Sequence, residues 1–254
     1  MIRAALVALG LATAPEASVA TCEPLEFEGA AFTACEVDIV EDDVRLFLRN
    51  GDGEVYGTFS RVEAGLPEGQ TLGFAMNAGM FHEDLSPVGL YIEDGAEEMW
   101  IVTNEGPGNF GMLPNGVLCI GEGWAEVVES RRFADAPPAC RFATQSGPML
   151  VIDGELHPRF LEHSSSLNIR NGVGVLRDRR RMVLAIADEP VNFHHFARFF
   201  RDRMETPNAL YLDGRVSRLH APGIGRSDIG FPLGPIIGTV VPDTTPVDGG
   251  DGEG

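Results

Sequence analysis

Apolar residues alternate with polar ones, or fall in short unbroken runs, along most of the chain between residues 32 and 212. Alternation over 44–48 predicts a strand, and Asn50-Gly51 directly behind it predicts a hairpin turn. Apolar runs separated by Gly, Pro and Asn predict further strands at 88–92, 99–102, 116–120, 142–152, 172–176 and 182–187. The stretch Arg177-Asp-Arg-Arg-Arg181 between the last two reads as a solvated hairpin turn rather than a nucleic-acid patch. One segment leaves the period of two. Phe193, Phe196, Ala197, Phe200 and Met204 recur at helical spacing, which predicts a helix over 192–205 with Asn192 as N-cap and Pro207 past its end. His194 and His195 fall on its wetter side.

The two ends of the chain read differently from the middle. Residues 1–20 carry Arg3, an apolar run over 4–14, and the small residues Ser18 and Ala20 at the −3 and −1 positions before Thr21, the layout of a secretory signal peptide. That run is too short to hold as a membrane anchor, so export without membrane insertion is expected, to the periplasm or beyond. Cys22 would carry a lipid if the segment were processed as a lipoprotein signal. Residues 242–254 are rich in Gly, Pro, Thr and Asp and read as a disordered acidic tail. With no repeat and no linker between them, residues 21–241 are expected to form one domain.

Composition narrows the class. The chain has 254 residues, 44 % hydrophobic and 22 % charged, which suits a globular protein with a sizeable core. Its 31 glycines and 17 prolines favour a turn-rich, mainly β chain over a helical bundle. Against 19 basic residues stand 38 acidic ones, a net charge of −19 that disfavours nucleic acid and anionic membrane surfaces as partners. The four cysteines, Cys22, Cys35, Cys119 and Cys140, allow three pairings, and short loops favour Cys22–Cys35 with Cys119–Cys140. No C-x-x-C pair exists for thiol redox chemistry or a zinc knuckle.

Several motifs fail their own requirements. Residues 106–111 fit G-x-G-x-x-G, but Met112-Leu-Pro114 opens no helix, and a dinucleotide fingerprint needs one. Residues 50–54 lack the glycine spacing and distal glutamate of a calcium loop. His82, Glu83 and Asp84 are adjacent and cannot all face one ion from a regular element. No metal and no cofactor is expected.

Four segments place polar groups among glycines and apolar strands, where each must find a hydrogen bond or a ligand. Asn77 ends an apolar run ahead of Gly79. Thr144, Gln145 and Ser146 precede a Gly-Pro turn. Arg170 sits between two asparagines before Gly172, and its planar guanidinium suits an oxyanion or phosphate. Asp213 ends the run Ala209-Leu-Tyr-Leu212 and precedes Gly214, a position suited to a catalytic carboxylate.

In order and spacing, seven pieces resemble the phosphodiester glycosidase family. They are Asn77-Ala-Gly-Met-Phe81, Ser86-Pro-Val-Gly-Leu90, Pro114-Asn-Gly-Val117, Ala143-Thr-Gln-Ser-Gly-Pro-Met-Leu150, Ile169-Arg-Asn-Gly-Val-Gly174, Val191-Asn-Phe193 and Ala209-Leu-Tyr-Leu-Asp-Gly214. The likeness is to its exported bacterial branch. It implies an α+β single domain of bent mixed, mainly antiparallel sheets with a few outer helices. It implies hydrolysis of a glycosidic bond whose leaving group is a phosphate ester, with a sugar-phosphodiester of the bacterial envelope as partner. It places Asn77, Arg170 and Asp213 in the catalytic site, with Gln145, Ser146 and Asn171 lining it. Gly79, Asn115, Gly214 and Asp84 complete the expected substrate-binding set, and Glu83 or Asp84 would supply any second carboxylate.

Two other readings compete. A serine hydrolase would use Ser146 with His82 or His220, but Thr-Gln-Ser146-Gly-Pro lacks the G-x-S-x-G elbow. A non-catalytic exported carbohydrate- or envelope-binding protein would bind sugar on exposed aromatics, for which Trp100, Trp124 and three tyrosines are available. No oligomeric state is specified by these residues.

Overall fold

A computed structural model of the chain describes residues 20–214 and 216–244. Residues 1–19, where a signal peptide is expected, and residues 245–254, within the expected tail, lie outside them. The first strands are β1 (Thr21–Phe27), β2 (Ala30–Asp38), β3 (Asp43–Phe47), β4 (Gln70–Asn77), β5 (Tyr91–Glu93) and β6 (Ala96–Met99). Next come β7 (Gly116–Gly121), β8 (Trp124–Glu129), β9 (Phe142–Ser146), β10 (Met149–Ile152), β11 (Glu155–Leu156) and β12 (Asn171–Val175). The last are β13 (Arg181–Ala187), β14 (Asn208–Asp213), β15 (Leu219–Ala221), β16 (Arg226–Ser227) and β17 (Ile236–Pro242). Three short helices, α1 (Phe59–Ala64), α2 (Ser130–Asp135) and α3 (Phe193–Arg198), lie between them.

The strands form a seven-stranded sheet in the order β1-β2-β13-β12-β14-β10-β11 and two five-stranded sheets, β16-β15-β4-β17-β3 and β6-β5-β9-β7-β8. Every ladder between these strands is antiparallel, so the expected α+β, mainly antiparallel fold is present without a parallel pair among the described residues.

The unbroken apolar run of β13 follows from burial on both faces. Met182, Leu184 and Ile186 point into a core shared by the three sheets, while Val183, Ala185 and Ala187 pack under α3. β14 divides the same way, with Leu210 and Leu212 inward and Ala209 and Tyr211 toward α3. Asp213 stands two residues beyond Tyr211, past an irregularity in the β12–β14 ladder. α3 and the turn that follows it meet the face of Ala209 and Tyr211 with Phe196, Ala197, Phe199 and Phe200; Phe196 and Phe199 stack on Phe32, and Phe199 meets Phe200 edge to face. Asn192 caps the helix by accepting the His195 N–H at 2.9 Å. Past Arg198 the helix widens by one residue per turn through Phe199–Arg203, so the predicted helix reaches its expected length with a looser end.

β1, a segment for which no element is predicted, pairs with β2. Three expectations are revised. The run 142–152 is two strands in different sheets, parted at Gly147-Pro148. The expected strand at 88–92 shortens to Tyr91–Glu93 and the one at 99–102 moves back to Ala96–Met99, because the Gln145 side chain occupies the Leu90 N–H and both the N–H and the carbonyl of Val102. Finally, β17 runs to Pro242 and the Asp243 N–H reaches the Gly69 carbonyl, so the folded part extends past 241.

Both favoured disulfides are present, Cys22–Cys35 across the β1–β2 ladder and Cys119–Cys140. The arginines of the 177–181 turn reach carboxylates, among them Arg179 to Glu126, Arg180 to Asp38 and Arg181 to Asp178. Among the described residues no helix is long and apolar enough to cross a membrane.

Candidate active site

β4, β12 and β14 bring three of the polar segments together at one end. Asn171 and Asp213 are register partners at the edge of the β12–β14 ladder. Asn77, the last residue of β4, closes onto them from the neighbouring sheet. Asn171 is the hub, fully buried. Its Oδ1 accepts from the Asp213 N–H (3.0 Å) and Asn77 Nδ2 (3.2 Å) with Ser217 Oγ 3.2 Å away, and its Nδ2 donates to the Asn77 carbonyl at 2.8 Å. Asn77 Oδ1 in turn accepts the Arg218 N–H at 2.9 Å. The Asp213 carbonyl takes the Ser217 hydroxyl (2.8 Å), and Oδ1 of its carboxylate takes the Gly214 N–H. The backbone carrying Asp213 is thus held by two buried amides from distant strands. A Cβ on Gly214 would come 2.1 Å from the Tyr211 hydroxyl, so glycine is required for the turn to pass that ring.

Arg170 immediately precedes Asn171 and is 1 % exposed. Its Nε donates to the Val191 carbonyl and its Nη2 to the Ser166 carbonyl, both at 2.9 Å, while Nη1 is buried without a hydrogen-bond partner. The guanidinium lies 3.7 Å above the Phe193 ring and 5.5 Å from that of Tyr211. Burial lowers its pKa from the ordinary value and the Tyr211 oxygen beside it opposes the shift, but a guanidinium stays charged. Tyr211 is pushed up, first by burial, with Arg170 pulling it down and Asp213 adding to the rise. The phenol therefore stays protonated between a cation and a carboxylate. Val191-Asn-Phe193 serves Arg170 throughout: Val191 accepts from it, Asn192 starts α3, and Phe193 is the surface under it. Stacking continues from Phe193 to Phe160 (4.9 Å) and on to His157 (4.7 Å), which fixes the loop that offers Ser166.

Asp213 opens onto a cleft of about 450 Å³, lined also by Phe81, His82, Glu83, Val216 and Phe231. Glu83 shares this cleft. Asp84 is exposed and turned to Ser86, whose hydroxyl (2.6 Å) and N–H (3.0 Å) hold its carboxyl below the usual range.

The remaining expected residues do not line this cleft and brace the strands and turns around it. Gln145 is buried with every polar position occupied. Its Oε1 accepts from Leu90 N–H and Val102 N–H at 3.0 Å, and its Nε2 donates to the Val102 carbonyl (2.6 Å) and to Ser130 Oγ (2.8 Å). It is a brace and has no donor left for a sugar hydroxyl. Ser146 is buried and donates to the Leu212 carbonyl at 2.9 Å, a strand clasp rather than a nucleophile beside a histidine. Gly79 donates to Thr144 Oγ1, and a Cβ there would stand 2.4 Å from that atom and from the Gln145 carbonyl. Asn115 donates to the Phe110 carbonyl and keeps a buried Oδ1 without a partner. Replacing Gln145 with Leu strands four buried groups, and we expect a loss of about 2–4 kcal/mol in unfolding free energy from denaturant titration. A loss under about 0.5 kcal/mol would remove the bracing role.

Sequence reasoning assigned no role to Tyr211, Phe193, Ser217 or the Arg218 N–H. Only Tyr211 left a signal, since a period of two puts it on the face of Asp213.

Comparison with known proteins gives the family and the fold. The profile of the phosphodiester glycosidase family matches residues 70–219. The uncharacterized protein YigE of Escherichia coli (strain K12) is 32 % identical over 180 residues, 71 % of this chain and 70 % of that protein. Among solved structures, the catalytic domain of zebrafish N-acetylglucosamine-1-phosphodiester alpha-N-acetylglucosaminidase, auto-inhibited by its pro-peptide, superimposes with a TM-score of 0.59 at 15 % identity, covering 86 % of this chain and 81 % of its own. A putative exported protein of Burkholderia pseudomallei K96243 gives 0.54 at 12 % identity, covering 83 % and 74 %. At these identities the structures speak for the fold.

Proposed function

This chain belongs to the phosphodiester glycosidase family, and from that premise we propose that it is an exported hydrolase of sugar-1-phosphodiesters of the bacterial envelope. The observation that carries the reading is Asp213 opening onto a cleft with Glu83 at the sheet end where Tyr211 and Arg170, 5.5 Å from its ring, lie buried beside the Asn171–Asp213 pair.

The chemistry follows from the leaving group. A phosphodiester leaves as a stable anion, so protonating it gains less than for an ordinary glycoside. What accelerates cleavage is a fixed cation at the phosphate and a carboxylate at the anomeric carbon, where oxocarbenium character develops. Arg170 supplies the cation through its uncommitted Nη1. Asp213 supplies the carboxylate. The anomeric C–O bond breaks, the phosphate ester departs with the bonding pair, and water adds its oxygen to the anomeric carbon and its proton to a carboxylate. If Asp213 attacks the carbon itself the sugar keeps its configuration, and if it activates water the configuration inverts. Asn77 and Asn171 hold Asp213 in place.

Two disulfides suit an oxidising compartment outside the cytosol. The test is release of free sugar from a small panel of sugar-1-phosphate diesters. Reducing sugar should appear with the wild-type chain. Tight sugar binding with no release from any diester would favour the non-catalytic reading instead.

A further inference from the structure

A second cleft, of about 530 Å³, adjoins the first, and Val216 and Phe231 line both. Ile169 lines it too, next in sequence to the buried Arg170. Four charged side chains face this second cleft. Arg226 donates to Asp228 through Nε and Nη2, and through Nη1 to Asp188 and to Thr33 Oγ1. Asp228 also accepts the Leu219 N–H, and Asp188 the Thr33 hydroxyl. Those three are committed. Arg218 is not: among the described residues its guanidinium enters no hydrogen bond or ion pair, although the residue is only 7 % exposed. It lies flat over Gly230, where a Cβ would stand 2.8–3.0 Å from Nη2, Cζ and Nε. In a chain of net charge −19, a guanidinium on a largely buried residue that makes no hydrogen bond to a carboxylate, with Asp228 acting on it only at longer range, is an unmet anion donor.

The rim is apolar. Ile229 is 97 % and Phe231 78 % exposed, two large side chains held in water one residue to either side of Gly230. Such exposure beside a donor marks a surface meant to be covered.

We propose that this cleft is the aglycone subsite and that the substrate is a glycosyl diphosphate ester of an apolar alcohol. The phosphate next to the sugar meets Arg170, the second phosphate meets Arg218, and the apolar chain lies along Ile229 and Phe231. This rests on the glycosidase reading above and adds the class of leaving group: cleavage yields free sugar and an alkyl diphosphate. The second anion and the apolar chain of such a molecule match the cation and the exposed apolar side chains that share one cleft.

The product itself is the probe. Farnesyl diphosphate should bind the full chain by calorimetry, and Arg218→Met should weaken it at least about tenfold. Phe231→Ser, at an exposed position that folding does not need, should weaken it about fivefold while leaving inorganic diphosphate binding unaffected. In turnover, Arg218→Met should lower kcat/KM for a sugar diphosphofarnesol at least about tenfold more than for the methyl phosphodiester of the same sugar. Equal losses on both substrates, or farnesyl diphosphate binding that ignores both substitutions, would overturn the proposal. If the methyl diester is cleaved but farnesyl diphosphate neither binds nor inhibits, the cleft assignment fails and the hydrolase stands. If farnesyl diphosphate binds as expected but no diester releases sugar, the hydrolase fails and the cleft stands.

Discussion

Asp213→Asn should lower kcat on a sugar-1-phosphodiester about a thousandfold, the scale of losing a positioned carboxylate. The substitution is close to isosteric. An amide oxygen can still accept the Gly214 N–H, and neither the Asp213 N–H to Asn171 nor the carbonyl bond from Ser217 involves the side chain that changes. The melting temperature should therefore stay within about 3 °C of wild type, since most of the local hydrogen bonding survives. KM should change much less than kcat, because a carboxylate acting on the anomeric carbon contributes mainly in the transition state. Turnover within tenfold of wild type, with the fold intact, would take the role away from Asp213 and direct attention to Glu83 across the same cleft.

Much of this arrangement was legible beforehand, for local reasons. The strands around 116–120, 172–176 and 182–187 announce themselves because their apolar runs face two buried layers. Asn192 reads as a cap because its side chain answers a backbone donor three residues on. Asp213 reads as a site residue because a carboxylate that ends an apolar strand must sit at the sheet edge. What escaped depends on contacts distant in sequence. Nothing near Gln145 says that its amide is saturated by Leu90, Val102 and Ser130, 15 to 55 residues away, so an amide amid apolar residues read as a ligand for sugar. Phe193 shows a core stripe in the helical pattern, and only the fold brings Arg170 onto its ring. Arg218 is an ordinary arginine in sequence, where 19 basic residues face 38 acidic ones and a partner would be assumed. Its isolation comes from Arg226 reaching Asp188 and Asp228 first. Strand patterns are thus carried by burial, while the division between brace and reactive group is carried by which hydrogen bonds are already spent.

That division makes Arg170→Lys the sharper test of the phosphate role. The guanidinium does three things at once: Nε and Nη2 hold the Val191 and Ser166 carbonyls, the plane rests on Phe193, and Nη1 remains for a ligand. An ammonium has three donors at one point and no plane, so it cannot reach both carbonyls and a phosphate oxygen together. Burial also disfavours its charge more effectively than that of a guanidinium. We expect kcat/KM on the phosphodiester to fall about a hundredfold, matching about 2–4 kcal/mol for a lost electrostatic donor. A neutral aryl glycoside of the same sugar places no charge at Nη1 and should lose less than about fivefold, the part attributable to a loosened Ser166 loop. Stability will fall as well, by about 1–3 kcal/mol for a buried carbonyl left without its donor, so both substrates must be assayed well below the melting transition. The ratio of the two losses is the decisive quantity, because unfolding lowers both rates alike and only a contact to the phosphate separates them. A ratio near one would make Arg170 a scaffold residue that fastens the Ser166 loop to α3, and the charge opposite the leaving group would then have to come from elsewhere in the cleft.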